Sequence, residues 1–142
     1  LVTHVFAHPA DMIKLSELCN QNRIRLIADA AQALGAKLNG KEIGAWGDIS
    51  CFSFGRGKAI TTGEGGMVVT RNAGIAERCR VMRLHGISRD AFDRYSSTKP
   101  AWYYEVIAPG FKYNMTDLAA SMGIHQLKKA TRFQKRRQEI DV

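Results

Sequence analysis

Leu1-Val2-Thr3-His4-Val5-Phe6-Ala7, the helix-spaced residues that follow Asp11, and Ile24-Arg25-Leu26-Ile27-Ala28 together decide the fold class. The first run predicts a strand over Leu1 to Ala7, ended by a loop at His8-Pro9. Asp11 then caps a helix in which Met12, Ile13, Leu15 and Leu18 recur at helical spacing, and Ile24 to Ala28 predicts a second strand. Strand, short helix and strand form a βαβ unit, whose crossover is right-handed in nearly all proteins and makes the strands parallel. Ligands of such sheets bind beyond the carboxyl ends of the strands, and Asp29 stands at one.

Downstream of this unit a helical turn is expected around Gln32 to Leu34, then a hairpin over Lys37 to Gly44 about Asn39-Gly40. Strands follow at Ile49 to Phe54 and Gly66 to Thr70, and a helix runs from Asn72 to about Leu84 with Ile75, Cys79 and Met82 on one face. Gly86 to Gly110 is polar and carries Trp102-Tyr103-Tyr104; a connection of that length predicts a substrate-side or subunit-contacting loop. Thr116 caps a last helix that reaches about Ile140 and turns basic at Lys128, Lys129, Arg132, Lys135, Arg136 and Arg137.

The chain has 142 residues, 45% of them hydrophobic and 24% charged, enough for a folded domain with its own core. No apolar run approaches the roughly 20 residues that span a bilayer, and the opening lacks a basic leader with a cleavage site, so no membrane span and a cytoplasmic location are expected. The chain opens without Met, directly in a strand-like run, and is read as part of a longer polypeptide. Cys19, Cys51 and Cys79 are odd in number, with no CxxC pair, which argues against a disulfide framework or a metal site.

Lys58 carries the chemistry. It lies between Ile49-Ser50-Cys51-Phe52-Ser53-Phe54 and Thr61-Thr62-Gly63-Glu64-Gly65-Gly66, where Phe52, Phe54 and Ile60 offer the apolar cover a nucleophilic amine requires; the bland alternative is a solvated surface lysine. Asp29 reads either as the N-cap of the turn after it or as a carboxylate paired with a protonated pyridine nitrogen. Ser53 either faces a neighbouring strand or donates to a cofactor phosphate. The stretch Thr61 to Gly66 lacks the Walker pattern and is assigned to backbone geometry.

Taken in order, Asp29-Ala30-Ala31-Gln32-Ala33, Gly47-Asp48-Ile49, Phe52-Ser53-Phe54 ending at Lys58, Thr61 to Gly66, His85-Gly86-Ile87-Ser88 and Gly110 to Asp117 resemble the nucleotide-sugar aminotransferases of the DegT/DnrJ/StrS family. The resemblance implies a partial three-layer α/β/α large domain of a fold type I enzyme dependent on pyridoxal phosphate (PLP), with a mainly parallel sheet. Residues 1–126 would be part of that large domain, and 127–142 a basic helix leading to a small domain beyond the chain. It implies that Lys58 attaches to PLP and shuttles the proton, and that Asp29 pairs with the pyridinium. Gln32 would lie near the 3-hydroxyl and Ser53 on the phosphate, while Asn114 reaches the partner subunit's cofactor phosphate across a homodimer interface.

The implied reaction moves an amino group from an amino acid, usually glutamate in this family, to a keto-sugar linked to UDP or dTDP. His85 to Asn114 is most similar to members working on UDP-4-keto sugars. Such products serve cell-surface polysaccharide, lipopolysaccharide or amino-sugar synthesis. Departures from the family are Ala28, where Glu is common, and Arg56-Gly57, where Pro-Thr or Ala-Ile is common.

Two rival classes stand beside this one. A net charge of +8 and the basic helix point to a nucleic-acid-binding module, although no aromatic residues are interleaved as a stacking platform and no RNP, KH or zinc-finger pattern occurs. The other is a family relative that does not transaminate, against which the presence of Lys58 argues.

Overall fold

The computed structural model describes residues 1–88 and 104–140. Its described residues divide into two compact units, one of Leu1–Arg71 with Met115–Val142 and one of Asn72–Asn114.

In the first unit, β1 (Val2–Thr3), β2 (Ile27–Asp29), β5 (Ile49–Ser53) and β6 (Gly66–Thr70) form one sheet in the order β1-β2-β5-β6. The first three are parallel and β6 is antiparallel to β5. This is the mainly parallel α/β sheet expected. Helix α1 (Met12–Gln21) makes the crossover, with the Asp11 carboxylate accepting from the Lys14 N–H as its cap. Met12 is fully buried, while Leu15 and Cys19 pack against a core of Leu26, Ala28, Ala30, Ala33, Ala36 and Ile43. Leu18, expected on that face, is more than half exposed; the inward stripe uses Cys19 one position further on.

The first strand is much shorter than Leu1 to Ala7. Phe6 and Ala7 hold φ of 50° and 59°, and Val5 bridges His8 across them, so the chain turns back on itself there. Two adjacent left-handed residues close the kind of tight turn that glycine or asparagine ordinarily occupies, and an aromatic residue in it is a costly choice. The helical turn at Gln32 to Leu34 is also absent. Short backbone bonds, Ala33 N–H to Ala30 O and Ala36 N–H to Ala33 O, make consecutive turns instead.

The hairpin forms as read: β3 (Lys37–Leu38) pairs antiparallel with β4 (Lys41–Glu42), and Asn39 and Gly40 adopt φ of 50° and 76°. A single turn of 3-10 helix, Ile43–Ala45, then leads to β5. Helix α3 (Asp117–Ile140) is continuous, and the Thr116 hydroxyl accepts from the Ala119 N–H at its start. None of the helix's residues is buried.

In the second unit, helix α2 (Ala73–Met82) is capped by the Asn72 side chain, which accepts from the Ile75 N–H. Its continuation turns at His85 and Gly86 and bridges Leu84 to Lys112 and Ile87 to Val106. The ends of the long connection therefore run antiparallel to one another. Trp102 and Tyr103, expected within it, lie outside the described residues.

Candidate active site

Two adjacent parallel strands present the first pair of site residues. Asp29 ends β2 and registers with Cys51 on β5; Ser53 lies two residues further along β5, so Asp29, Cys51 and Ser53 share one face at the carboxyl edge. One Asp29 oxygen, Oδ1, accepts from the Ala31 N–H at 3.0 Å, an Asx turn with no helix behind it, which removes the N-cap reading. Oδ2 has no hydrogen-bond donor among the described residues. Ser53 Oγ accepts from the Gly55 N–H at 3.3 Å, leaving its own hydroxyl proton available.

Beneath Asp29, His4 is fully buried. Its Nδ1 accepts from the Ala10 N–H at 3.1 Å, which puts the proton of the neutral ring on Nε2, an atom without a partner among the described residues. Burial pushes the His4 pKa down, and the Asp29 carboxylate partly opposes that. No motif at the sequence level singled His4 out, because a histidine in an apolar strand is ordinarily a core residue.

Lys58 sits on the loop that links β5 to β6. Both ends of that loop are fastened to Phe54: its N–H donates to Gly65 O at 2.8 Å, and its carbonyl accepts from Thr62 N–H at 3.0 Å and Thr61 Oγ1 at 3.1 Å. Phe54 and Ile60 are buried and anchor the loop on either side of the half-buried Lys58. Phe52 gives no such cover. Its ring abuts Gly44 and packs on the core, because alternate residues of β5 face opposite ways.

The glycine-rich turn is structural, as its sequence implied. A Cβ on Gly66 would stand 2.7 Å from Phe52 O, so only glycine lets β6 begin this close to β5. Thr62, buried, donates its hydroxyl to Glu64 O at 2.8 Å and completes the turn.

Gln32 and Lys58 line one cavity of about 410 Å³ with Phe6, Gly57, Gln134 and Arg137. Helix α3 reaches this loop twice: Arg137 Nη2 donates to Ala59 O at 3.0 Å, and Gln126 Oε1 accepts from the Thr61 N–H at 3.4 Å. Arg137 was legible only as one charge in a basic run. Asn114 belongs to the second unit, where its carboxamide oxygen accepts from Lys112 Nζ. The structure thus groups Asp29 with Ser53 and Gln32 with Lys58, and holds Asn114 in a different unit.

A carboxylate at a strand end with one oxygen free, a serine hydroxyl on the next strand and a lysine on the following loop are the donors and acceptor that PLP needs. A model of the DegT/DnrJ/EryC1/StrS aminotransferase family matches residues 1–141. The chain belongs to this family. It is 56% identical to the uncharacterized protein MJ1066 of Methanocaldococcus jannaschii, over 96% of this chain and 35% of that protein. It is 38% identical to GDP-perosamine synthase of Escherichia coli O157:H7, over 99% of this chain and 35% of that enzyme. The structure superimposes on Spr1654 of Streptococcus pneumoniae in its PMP form with a TM-score of 0.85 at 27% identity, covering 98% of this chain and 40% of that one.

The chain therefore spans little more than a third of the length of the relatives it matches. Family membership settles the fold as the partial large domain of a fold type I enzyme, and the family's cofactor as PLP. Among the described residues no helix is long and apolar enough to cross a membrane.

Proposed function

We propose that this chain, within a polypeptide as long as its relatives, forms the PLP-binding part of an aminotransferase that transfers an amino group from an amino acid to a keto-sugar carried on a nucleotide. The observation that carries the reading is the family match over 1–141, supported by Asp29 and Ser53 on one face at the carboxyl edge of β2 and β5 and by Gln32 and Lys58 lining one cavity. PLP supplies an electron sink for a carbanion beside the transferred nitrogen. Asp29 would keep the ring nitrogen protonated through its second oxygen, Ser53 would donate to the phosphate, and the Gln32 amide would face the ring oxygen. Lys58 would hold the cofactor, and its amine, once released, would accept and return the substrate's proton.

Glutamate as donor and a UDP-linked 4-keto sugar as acceptor are the finer form of the proposal, motivated by the resemblance of His85 to Asn114 to family members of that kind. A relative named for a GDP-linked amino sugar supports the nucleotide-sugar class. The product would enter polysaccharide, lipopolysaccharide or amino-sugar synthesis in the cytoplasm. Residues 127–142 would lead into a small domain, and Asn114 would serve the cofactor phosphate of the partner in a homodimer.

The test is borohydride reduction of the PLP-loaded protein, extended to the length of its relatives, followed by peptide mass mapping. A PLP adduct on Lys58, absent in Lys58→Ala, is expected; a loaded protein with no adduct at Lys58 sinks the reading. For Asn114, Asn114→Ala should speed PLP release from a dimer sized by light scattering, and an unchanged release rate removes Asn114 from the shared site.

A further inference from the structure

The cavity beside Lys58 is lined by groups that donate. Phe6 N–H donates to Gln32 Oε1 at 2.9 Å, which fixes the orientation of that carboxamide and turns its NH₂ towards the remaining space. Lys58 Nζ and the Arg137 guanidinium have donors and no acceptor, and Gln134 adds another carboxamide. No Asp or Glu is among the described residues lining this cavity. With Lys58 holding the cofactor, a ligand entering it meets the Arg137 guanidinium and carboxamide N–H groups with no carboxylate to balance them, which favours anionic oxygen acceptors.

Three ligands of the proposed reaction carry such oxygens; PLP is already assigned its phosphate donor at Ser53, which leaves the amino donor and the diphosphate of the nucleotide-sugar. Bond counting separates them. The donor's α-carboxylate is two bonds from the nitrogen that must reach the Lys58 site, whereas the diphosphate is separated from a 4-keto carbon by the width of the sugar ring. Because Arg137 and Lys58 line one cavity, the acceptor nearer the reacting nitrogen, the donor's carboxylate, is the one carried forward.

We propose that Arg137, assisted by the Gln134 carboxamide, forms the carboxylate subsite for the amino donor. This rests on the aminotransferase reading above. Arg137 keeps one N–H on Ala59 O, which holds its fork in place, and offers its other N–H groups to the carboxylate. Its place late in α3 puts the donor subsite on the same helix that fastens the Lys58 loop.

The probe is succinate, which carries two carboxylates and no amine, titrated calorimetrically into the PLP-loaded protein extended to the length of its relatives. Arg137→Gln should raise the succinate Kd about tenfold or more and raise the glutamate KM with it. The KM for nucleotide-sugar should stay unchanged, and the rate with n-butylamine, an amine without a carboxylate, should fall less than the rate with glutamate. Arg137→Lys should recover part of the loss. An unchanged succinate Kd overturns the proposal, as does a rise confined to the nucleotide-sugar KM, which would assign Arg137 to the diphosphate. An equal fall with glutamate and with n-butylamine would overturn the subsite and make Arg137 a support of the Lys58 loop instead.

One measurement does not depend on a folded variant. In the unsubstituted protein, succinate should protect Arg137 from phenylglyoxal, read by peptide mass, and absence of protection overturns the subsite. If that protein gives no borohydride-stable PLP adduct at Lys58, the aminotransferase reading itself has failed, and the subsite falls with it.

Discussion

Asp29 and Asp48 are aspartates at opposite edges of the same sheet, and they are built for opposite purposes. Asp48 precedes β5 at the amino edge, where both of its oxygens are engaged: Oδ1 with Arg25 Nη1 and Oδ2 with the Leu26 N–H, each at 2.8 Å. Its backbone is tied as well, donating to Leu26 O at 2.8 Å and accepting from Thr70 Oγ1 at 2.7 Å. The Asp29 carboxylate at the carboxyl edge has a single hydrogen bond, to its own turn, and among the described residues its other oxygen is left open. The satisfied carboxylate of Asp48 ties the start of β5 to the approach to β2, and its carbonyl ties it to the end of β6. An unsatisfied one keeps its capacity for a ligand.

The largest effect expected from this contrast is on activity. Asp29→Ala in the full-length protein should lower the rate of transamination by about 10²–10³-fold, the scale of removing one preorganised electrostatic partner, while leaving the urea midpoint nearly unchanged. The shift in absorbance of bound PLP reports the lost pyridinium partner directly. Near-normal turnover would remove Asp29 from the machinery, and a large fall in the urea midpoint would make it a second Asp48.

How much of this was legible depended on how local the cause was. The βαβ unit, the Asn39-Gly40 hairpin, β5, β6 and the Asp11 and Thr116 caps follow from spacing and turn chemistry within a few residues. The strand expected over Leu1 to Ala7 stopped at Thr3 because Phe6 and Ala7 adopt left-handed φ, and the Phe6 N–H finds its acceptor on Gln32. That bond joins positions far apart in sequence, and nothing local announces it. The site divides likewise. Asp29, Gln32, Ser53 and Lys58 were named from ordered motifs, and the fold brings them together only in two pairs, whereas the places of Arg137 beside Lys58 and of the buried His4 appear only once the chain folds back on itself.

The smaller effect is on stability, and its pH dependence separates the two aspartates. The Leu26 N–H, followed by the Arg25 guanidinium, holds the Asp48 carboxyl below the usual carboxylate range. A carboxyl depressed in the fold contributes its stability fully above the unfolded pKa of about 3.9 and loses it as pH falls through the lower folded value. Asp48→Asn should therefore cost about 1.5 kcal/mol near neutral pH, the low end for a hydrogen bond to a charged group at a half-buried site. The gap from the unsubstituted protein should hold down to about pH 5 and close below about pH 4. Arg25→Met should cost less, about 0.2–1 kcal/mol, because Arg25 is 79% exposed and the Leu26 bond survives its loss. Urea unfolding at stepped pH checks both. Equal costs for the two variants would mean that the ion pair, rather than the backbone N–H, is what Asp48 contributes, and the contrast with Asp29 would then rest on charge instead of on hydrogen-bond saturation.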